Sequence, residues 1–162
     1  MNTLRALMTA MLLASPAPIL AQGTNVAFGT IKQDTTLPVE VTADNLSVDQ
    51  SSGTAVFTGN VLIGQGDMRL SAARVLVTYR SQNAGIAKLQ ATGGVTLVTG
   101  ADAAEAERAD YNIDSGEIEM SGNVLLTQGQ SALTAEKMFI NLRTGTARMS
   151  GRVKTILQTG NN

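Results

Sequence analysis

The sequence predicts an all-β fold, and three observations support this prediction. Glycine is abundant, with 16 of 162 residues, whereas aromatic residues make up only 3% of the chain. Apolar and polar residues alternate over many short segments, which is the period of a strand with one buried face. Glycine-marked turns separate these segments at nearly regular spacing. Because 43% of the residues are hydrophobic, such strands can build one domain with a sizeable core.

The first 21 residues differ in character from the rest of the chain. A short basic start is followed by the apolar run "ALMTAMLLA" at residues 6–14 and by "SPAPILA", which ends on a small residue. This order is typical of a secretory signal peptide, so we expect cleavage after Ala21 and export of the protein. A membrane anchor is disfavoured because the run is well short of about 20 apolar residues and is followed by Pro16 and Pro18.

Four repeats make up most of the remaining chain. One valine recurs at intervals of 34, 29 and 29 residues, at Val61, Val95, Val124 and Val153. One alanine recurs at intervals of 29, 34 and 29 residues, at Ala43, Ala72, Ala106 and Ala135. Because one interval in each series is longer, one hairpin should be longer than the others. Its turn is predicted at Ser81–Gly85.

Three sets of glycines punctuate the repeats. The first follows each valine by five residues and comprises Gly66, Gly100 and Gly129. The second follows the alanines by ten residues and comprises Gly53, Gly116 and Gly145. We expect both sets to lie in hairpin turns with positive φ. The third set precedes each valine by two residues on the inner face, where it would permit a bend or a close backbone approach: Gly59, Gly93, Gly122 and Gly151.

The alternation assigns one face of each strand to an apolar interior. In the outgoing strands this face includes Phe57, Val61, Ile63, Leu89, Val95, Leu97, Met120, Val124, Leu126, Met149 and Val153. In the returning strands it includes Val75, Val77, Tyr79, Tyr111, Ile113, Met138 and Ile140. The returning strands contain a step of three in a period of two, directly after the repeated alanine. We therefore expect a β-bulge or kink there in every unit, which would curl the sheet into an elongated barrel-like or jelly-roll structure.

The composition excludes most classes of enzyme. The chain has no histidine and no cysteine, so the commonest catalytic bases, thiolate nucleophiles, disulfides and transition-metal ligands are missing. No dense run of lysine and arginine interleaves with aromatic residues, and a nucleic-acid partner is not expected. We predict a non-catalytic binding protein without cofactor or metal. Its aliphatic and methionine-rich inner face suits flexible hydrocarbon, although the same side chains could simply fill a core.

Two long segments resemble the LptA/OstA-like family of periplasmic lipopolysaccharide-transport proteins. They are "VEVTADNLSVDQSSGTAVFTGNVLIGQGDMRLSAARVLVTY" and "GNVLLTQGQSALTAEKMFINLRTG", and the resemblance covers about residues 39–157. It implies a twisted β-jelly roll open along one side, built here from the four hairpin repeats. It also implies a periplasmic bridge that binds the acyl chains of lipid A. The implied partners are an LptC-like inner-membrane protein, an LptD-like outer-membrane protein and further copies of the chain, joined head to tail.

The expected organisation has four parts. Residues 1–21 form the cleaved signal peptide, residues 22–38 an N-terminal extension or first edge strand, residues 39–157 the OstA-like β-jelly-roll domain, and residues 158–162 a polar tail. Two alternative functions are a soluble LptC-like partner of the same pathway and a non-catalytic structural β-repeat protein. The first would share the fold, and the second would explain the repeats without a ligand.

Overall fold

A computed structural model describes the backbone of residues 24–27 and the full residues 34–81 and 85–156. The predicted signal peptide, residues 82–84 of the long turn and the polar tail lie outside the described residues. The strands are β1 Thr24–Ala27, β2 Glu40–Thr42, β3 Asn45–Asp49, β4 Thr54–Gln65, β5 Met68–Tyr79, β6 Ile86–Thr99, β7 Asp102–Asn112, β8 Glu117–Gln128, β9 Ser131–Asn141, β10 Thr146–Ser150 and β11 Lys154–Ile156. Within this part of the chain, no helix is long and apolar enough to span a bilayer.

The strands form one antiparallel sheet that follows the order of the chain. Each strand from β4 to β10 pairs with its neighbour in sequence, so that β4 and β10 lie far apart in the sheet. β2 and β3 pair with β4 at one edge, and β10 and β11 pair with β9 at the other. β1 adds to the outer side of β10. The all-β, jelly-roll-like architecture expected from the sequence is therefore confirmed, as a meander that does not close.

Every long strand bends near its middle, where the register shifts. In β4, Thr58 pairs with Arg74 and Val61 with Ala72, so Gly59 and Asn60 lie opposite the single residue Ala73. The same surplus of one residue occurs in β6 and β8 relative to the strands on both sides. The expected bulge is confirmed in position along the repeat. Its surplus residue, however, belongs to the outgoing strand and not to the returning strand.

The bends divide the sheet into two halves. The A half contains residues 54–58 of β4 and the strands β3 and β10; the B half contains residues 61–65 of β4 and the strands β2 and β11. The edge strands are interrupted at the bend, which is why each edge carries two short strands instead of one long strand. Buried residues from both halves form one hydrophobic cluster, so the halves fold towards each other around a common interior.

A glycine and an opposing side chain shape each bend. Gly122 has φ +84°, and a Cβ built on it would lie 2.6 Å from Glu107 Oε2. The next residue, Asn123, also has positive φ and donates a hydrogen bond from Nδ2 to Glu107 Oε1 at 2.6 Å. Only glycine leaves room for the carboxylate, and asparagine tolerates the left-handed conformation better than most residues. The glycine contacts the exposed side of the bend, whereas the sequence pattern placed it on the inner face.

The repeats vary this arrangement in a consistent way. Asn60 donates to Asp44 at the first bend, and Arg152 donates to Glu136 at the last. At the second bend Gly93 faces Ala73, whose side chain has no polar atom to accept a hydrogen bond, and the next residue is the glycine Gly94. Three of the four bends thus carry an acidic side chain beneath a glycine and a donor after it. This contact recurs where the two halves of the sheet meet.

Candidate binding interior

Most of the residues predicted to line the interior are buried in it. Fourteen of the eighteen are at most 2% exposed: Val61, Ile63, Val75, Val77, Leu89, Val95, Leu97, Tyr111, Met120, Val124, Leu126, Met138, Ile140 and Met149. Phe57, Ile113 and Val153 are half-buried and pack against this cluster. The structure differs from the prediction at Tyr79, which is 38% exposed. This residue lies at the end of β5, where the register with β6 shifts.

The interior side chains form rows that run across the strands. One row of the A half contains Phe57, Val75, Ala91, Ala109, Met120, Met138 and Met149 as successive register partners. A row of the B half contains Ile63, Leu70, Leu97, Ala104, Leu126 and Leu133. Each row is apolar over its whole length, from β4 to the last pairs. The interior is therefore a continuous hydrophobic strip and not a set of separate clusters.

Several interior residues were not singled out from the sequence. They lie in the returning strands before the repeated alanine, or at a strand end: Gln65, Met68, Leu70, Ala104 and Leu133. Counting backwards from the alanine in steps of two would have found Leu70, Met68, Ala104 and Leu133, because the strand alternates without a break there. Gln65 could not be found in this way, since glutamine usually faces solvent.

The two facing halves are packed shut in this conformation. Interior side chains such as Val75, Leu97 and Met120 have no exposed surface. Tightly packed interiors have few voids larger than a water molecule. An extended hydrocarbon chain can therefore enter between the halves only if they separate or if side chains move. Methionine is well suited to such rearrangement because its side chain is unbranched and flexible.

A hydrogen bond between two buried polar side chains connects the halves on the side opposite the bend. Tyr111, in the A half of β7, donates its hydroxyl to Gln65 Oε1, in the B half of β4, at 2.6 Å. Tyr111 is 1% exposed and Gln65 2% exposed. Burial raises the pKa of Tyr111 to about 12, although nearby Arg143 and the bond to Gln65 favour the phenolate. The pair acts as a polar latch in a mainly apolar interior, which also buries the polar residue Thr99.

The segment Asp34–Pro38 lies across the same side and completes the bonding of Gln65. Gln65 Nε2 donates to the carbonyl oxygens of Thr35, at 3.1 Å, and Leu37, at 2.9 Å. Arg143, in the turn between β9 and β10, donates from Nε to Thr35 Oγ1 at 3.4 Å. We call Asp34–Pro38 the strap. It contacts the turns of the A half through Arg143 and the end of the B half through Gln65.

One end of the interior is exposed. Leu46 and Val48 of β3 continue the apolar rows beyond Phe57 and Ala55, with which they pair, yet they are 56% and 59% exposed. At the other end, Ala147 and Met149 of β10 are buried. The apolar strip therefore reaches solvent at the edge of the sheet formed by β3.

The outer face of the A half carries a groove of about 990 Å³ with a different character. Its lining includes Lys88, Asp110, Glu119 and Arg148 around the ring of Phe139. Lys88 and Asp110 form an ion pair at 3.0 Å, and the carboxylate of Glu119 is paired with Lys137 at 2.8 Å. These charges compensate each other, which is typical of a solvated face and not of a hydrocarbon site.

Comparison with known proteins agrees with this architecture. Residues 40–146 match the family model described as LptA/(LptD N-terminal domain) LPS transport protein. An uncharacterised protein of Rhizobium meliloti, R00383, is 31% identical over 116 residues, which are 67% of this chain and 61% of that protein. The lipopolysaccharide export system protein LptA of Haemophilus influenzae is 33% identical over 55 residues, which are 34% of this chain and 32% of that protein.

A solved structure has the same fold. The crystal structure of LptH from Pseudomonas aeruginosa, described as the LptA-homologous periplasmic component of the lipopolysaccharide transport device, superposes with a TM-score of 0.69. It covers 78% of this chain and 99% of that chain at 16% sequence identity, so it supports the fold alone. The family match is to transport proteins and not to enzymes, in agreement with the expected absence of catalysis. With about two thirds of its length matched by the family model, the chain belongs to the LptA/LptD N-terminal-domain family of lipopolysaccharide transport proteins.

Proposed function

We propose that the chain is a periplasmic carrier that shelters the acyl chains of lipopolysaccharide between the two halves of its sheet. The observation that supports this most strongly is the continuous apolar interior, which runs across the strands from β4 to β10 without a charged side chain in the buried cluster. The eighteen residues singled out from the sequence, including Tyr79 at its margin, are the proposed contacts for hydrocarbon.

Hydrocarbon burial explains why such a strip is useful in an aqueous compartment. Each methylene exposed to water costs about 0.8 kcal/mol, so a chain of about a dozen carbons costs on the order of 10 kcal/mol. An interior lined by leucine, valine and methionine removes most of this cost without any chemical step. Movement along the strip then requires an outside source of energy, because the rows are alike from one strand to the next.

The edges of the sheet suit the bridging role implied by the family. Among the described residues, β3 pairs only with β4 and carries the exposed Leu46 and Val48, so a strand from another protein could extend both the sheet and the apolar rows. We propose that an LptC-like protein, an LptD-like protein or a second copy of the chain pairs there or at the opposite edge, head to tail. At the opposite edge β1 already covers β10 in the A half, which leaves β11 of the B half for such pairing.

Charge favours one orientation of this docking. Acidic residues lie at the edge formed by β2 and β3, at Glu40, Asp44 and Asp49, whereas Lys154 lies on β11 at the other edge. Arg152 is less available than its position in the sequence indicates, because it forms an ion pair with Glu136 at 2.7 Å. Opposite charges at the two edges would set orientation and association rate more than affinity.

Charged substitutions in the interior test the proposed lipid site. Val61→Asp and Val124→Asp should weaken binding of purified lipopolysaccharide by at least about tenfold, because an unpaired buried carboxylate costs several kcal/mol. Leu62→Asp is the matched control, since Leu62 neighbours Val61 but is 43% exposed on the outer face. If an aspartate variant loses its strand-type circular dichroism, a milder pair replaces it. Val124→Thr is then the interior variant, and Leu125→Thr is the control on the outer face. Equal binding by the interior and outer-face variants would refute the proposed site.

A further inference from the structure

The closed interior raises the question of what must move before a lipid can enter. At the bends, on one side, acidic side chains pack against Gly59, Gly122 and Gly151, and the backbone pairing of each strand runs through the bend. On the opposite side, the latch Tyr111–Gln65 and the strap Asp34–Pro38 span the gap between the halves. Opening on this second side would leave every backbone pair of the sheet intact. It is therefore the less costly route for a guest to enter.

The strap is held mainly by polar contacts and few apolar ones. Asp34, Thr36, Leu37 and Pro38 are exposed, and only Thr35 is half-buried. Its internal bonds are those of a local turn, with Leu37 N donating to Asp34 O at 3.2 Å and Thr36 N to Asp34 Oδ1 at 2.9 Å. Segments with little buried apolar surface open at low cost compared with the strands of a core. The strap can therefore detach while the sheet stays folded.

Detachment of the strap affects the hydrogen bonding of Gln65 more than that of any strap residue. The amide nitrogen of Gln65 now donates to the two carbonyl oxygens of Thr35 and Leu37. Without the strap both donors would face the mouth of the interior, and a guest that covers this mouth without offering an acceptor would leave them buried and unsatisfied, at a cost of about 1–3 kcal/mol. A guest that replaces the strap gains affinity if it offers carbonyl oxygens at the same place.

Acylated lipids carry such groups where the hydrocarbon meets the head group. Each acyl chain joins through an ester or amide carbonyl, which has the same acceptor chemistry as the backbone carbonyls of the strap. With the hydrocarbon in the apolar rows, this junction would lie at the polar rim where Gln65 and Tyr111 are placed.

We propose that the strap is a displaceable cover of the interior, and that Gln65, positioned by Tyr111, binds the ester or amide carbonyls of an acylated lipid once the strap has left. This inference rests on the proposed function and adds to it a point of entry and a recognition contact. It assigns Gln65 a role in binding in addition to its role in holding the interior closed. In the empty protein Gln65 Nε2 donates to the carbonyl oxygens of the strap, and in the loaded protein it donates to the carbonyl oxygens of the lipid.

Hydrogen–deuterium exchange of the mature chain tests the displacement. With purified lipopolysaccharide bound, the peptide that contains Thr36 and Leu37 should exchange severalfold faster, while peptides from β7 and β8 keep or increase their protection. Unchanged or slower exchange of the strap, in a sample in which lipopolysaccharide binding is verified, would overturn the displacement and leave the proposed function standing. Failure of lipopolysaccharide to bind at all would instead refute both.

A matched pair of ligands tests the carbonyl contact. The probes are lauroyl lysophosphatidylcholine and its dodecyl ether analogue, which share chain and head group and differ in the carbonyl. The parent protein should prefer the ester by about fivefold, the value of one ordinary hydrogen bond. Gln65→Met should lose this preference, whereas Gln90→Met, which removes a glutamine bonded to Asp110 on the outer face, should keep it. Equal weakening of both ligands by Gln65→Met would show a structural role only and overturn the contact.

Discussion

At the scale of single residues, Tyr111 reports most directly on whether the halves are closed. Its hydroxyl is buried against Gln65, and burial raises its pKa to about 12. The unfolded chain would ionise near the ordinary value of about 10. Because the folded value is the higher one, the stabilisation from neutral Tyr111 is complete below pH 10 and is lost as the pH rises from about 10 to about 12.

The first prediction is a titration of this group. The chain contains two tyrosines, so Tyr79→Phe leaves Tyr111 as the single phenol. We expect the ultraviolet absorbance of phenolate in this variant to rise with a midpoint near pH 12, together with loss of folded structure. A midpoint near pH 10 in a chain that is still folded would show that the latch is open in solution.

The second prediction concerns the glycines at the bends. Gly122→Ala should lower the free energy of unfolding by roughly 1–3 kcal/mol. The alanine would be strained at positive φ, and its Cβ would also collide with the side chain of Glu107. Gly129→Ala has φ +56° but no atom within 4 Å of the new Cβ, so it measures the strain alone and should cost less.

A double variant separates these two contributions. In the background Glu107→Ala the contact is removed, and Gly122→Ala should then cost about as much as Gly129→Ala. Urea denaturation of the four variants and the parent supplies the free energies. Equal costs of Gly122→Ala in both backgrounds would mean that the carboxylate does not set the bend.

The faces of the strands could be predicted from single residues, whereas some interior residues could not. Strict alternation placed Val61, Leu97 and Met138 inside, and all three are buried. Gln65 is buried because a distant segment, the strap, satisfies its amide, and a contact of this kind leaves no local signal in the sequence. Tyr79 shares the apolar parity but lies at a strand end, where the interior no longer covers it.

At the scale of elements, the repeats predicted the turns and the bends. They did not predict which strand of each hairpin carries the extra residue of the bulge. Gly66, Gly100 and Gly129 have the expected positive φ in two-residue turns. The step of three in the returning strands was visible in the sequence, yet the surplus residue lies in the outgoing strands. A shift in alternation locates a bulge along a hairpin but does not say which strand carries it, because only the register decides.

The third prediction concerns the edge strand β3. Leu46→Glu with Val48→Glu should reduce head-to-tail association by at least about tenfold in sedimentation or light-scattering measurements, because the exposed apolar rows would no longer continue into a neighbour. Stability should change by only about 0.5 kcal/mol, since both side chains are more than half exposed in the free chain.

Leu62→Glu is the control for this change. It alters an exposed leucine of β4 that lies on the outer face and should leave association unchanged. Equal association of the β3 variant and the parent, at matched protein and salt concentrations, would mean that β3 is not the docking edge. A Lys154→Glu variant then tests the opposite edge, where reversal of charge should slow association at low salt and have little effect at high salt.

At the scale of the whole molecule, the fold combines rigidity along the sheet with a removable closure. Seven consecutive strands, from β4 to β10, are paired in the sheet. In the described part of the chain, the Tyr111–Gln65 hydrogen bond and the strap span the gap opposite the bends. The sequence predicted the curled sheet and its apolar interior from the repeat. The closed state includes non-local contacts of residues 34–38, which lie before the first complete repeat, and these contacts were not predicted.

The measurement that tests the central claim most directly is site-specific photocrosslinking with lipopolysaccharide. A photoreactive amino acid is placed at Val95, Met120 or Leu126 in the interior, and at Gln90 or Thr127 on the outer face as controls. If acyl chains are sheltered between the halves, only the interior positions should give adducts that contain lipopolysaccharide. Adducts of equal yield from both faces, or from the outer face alone, in variants that keep the strand-rich fold would contradict the account.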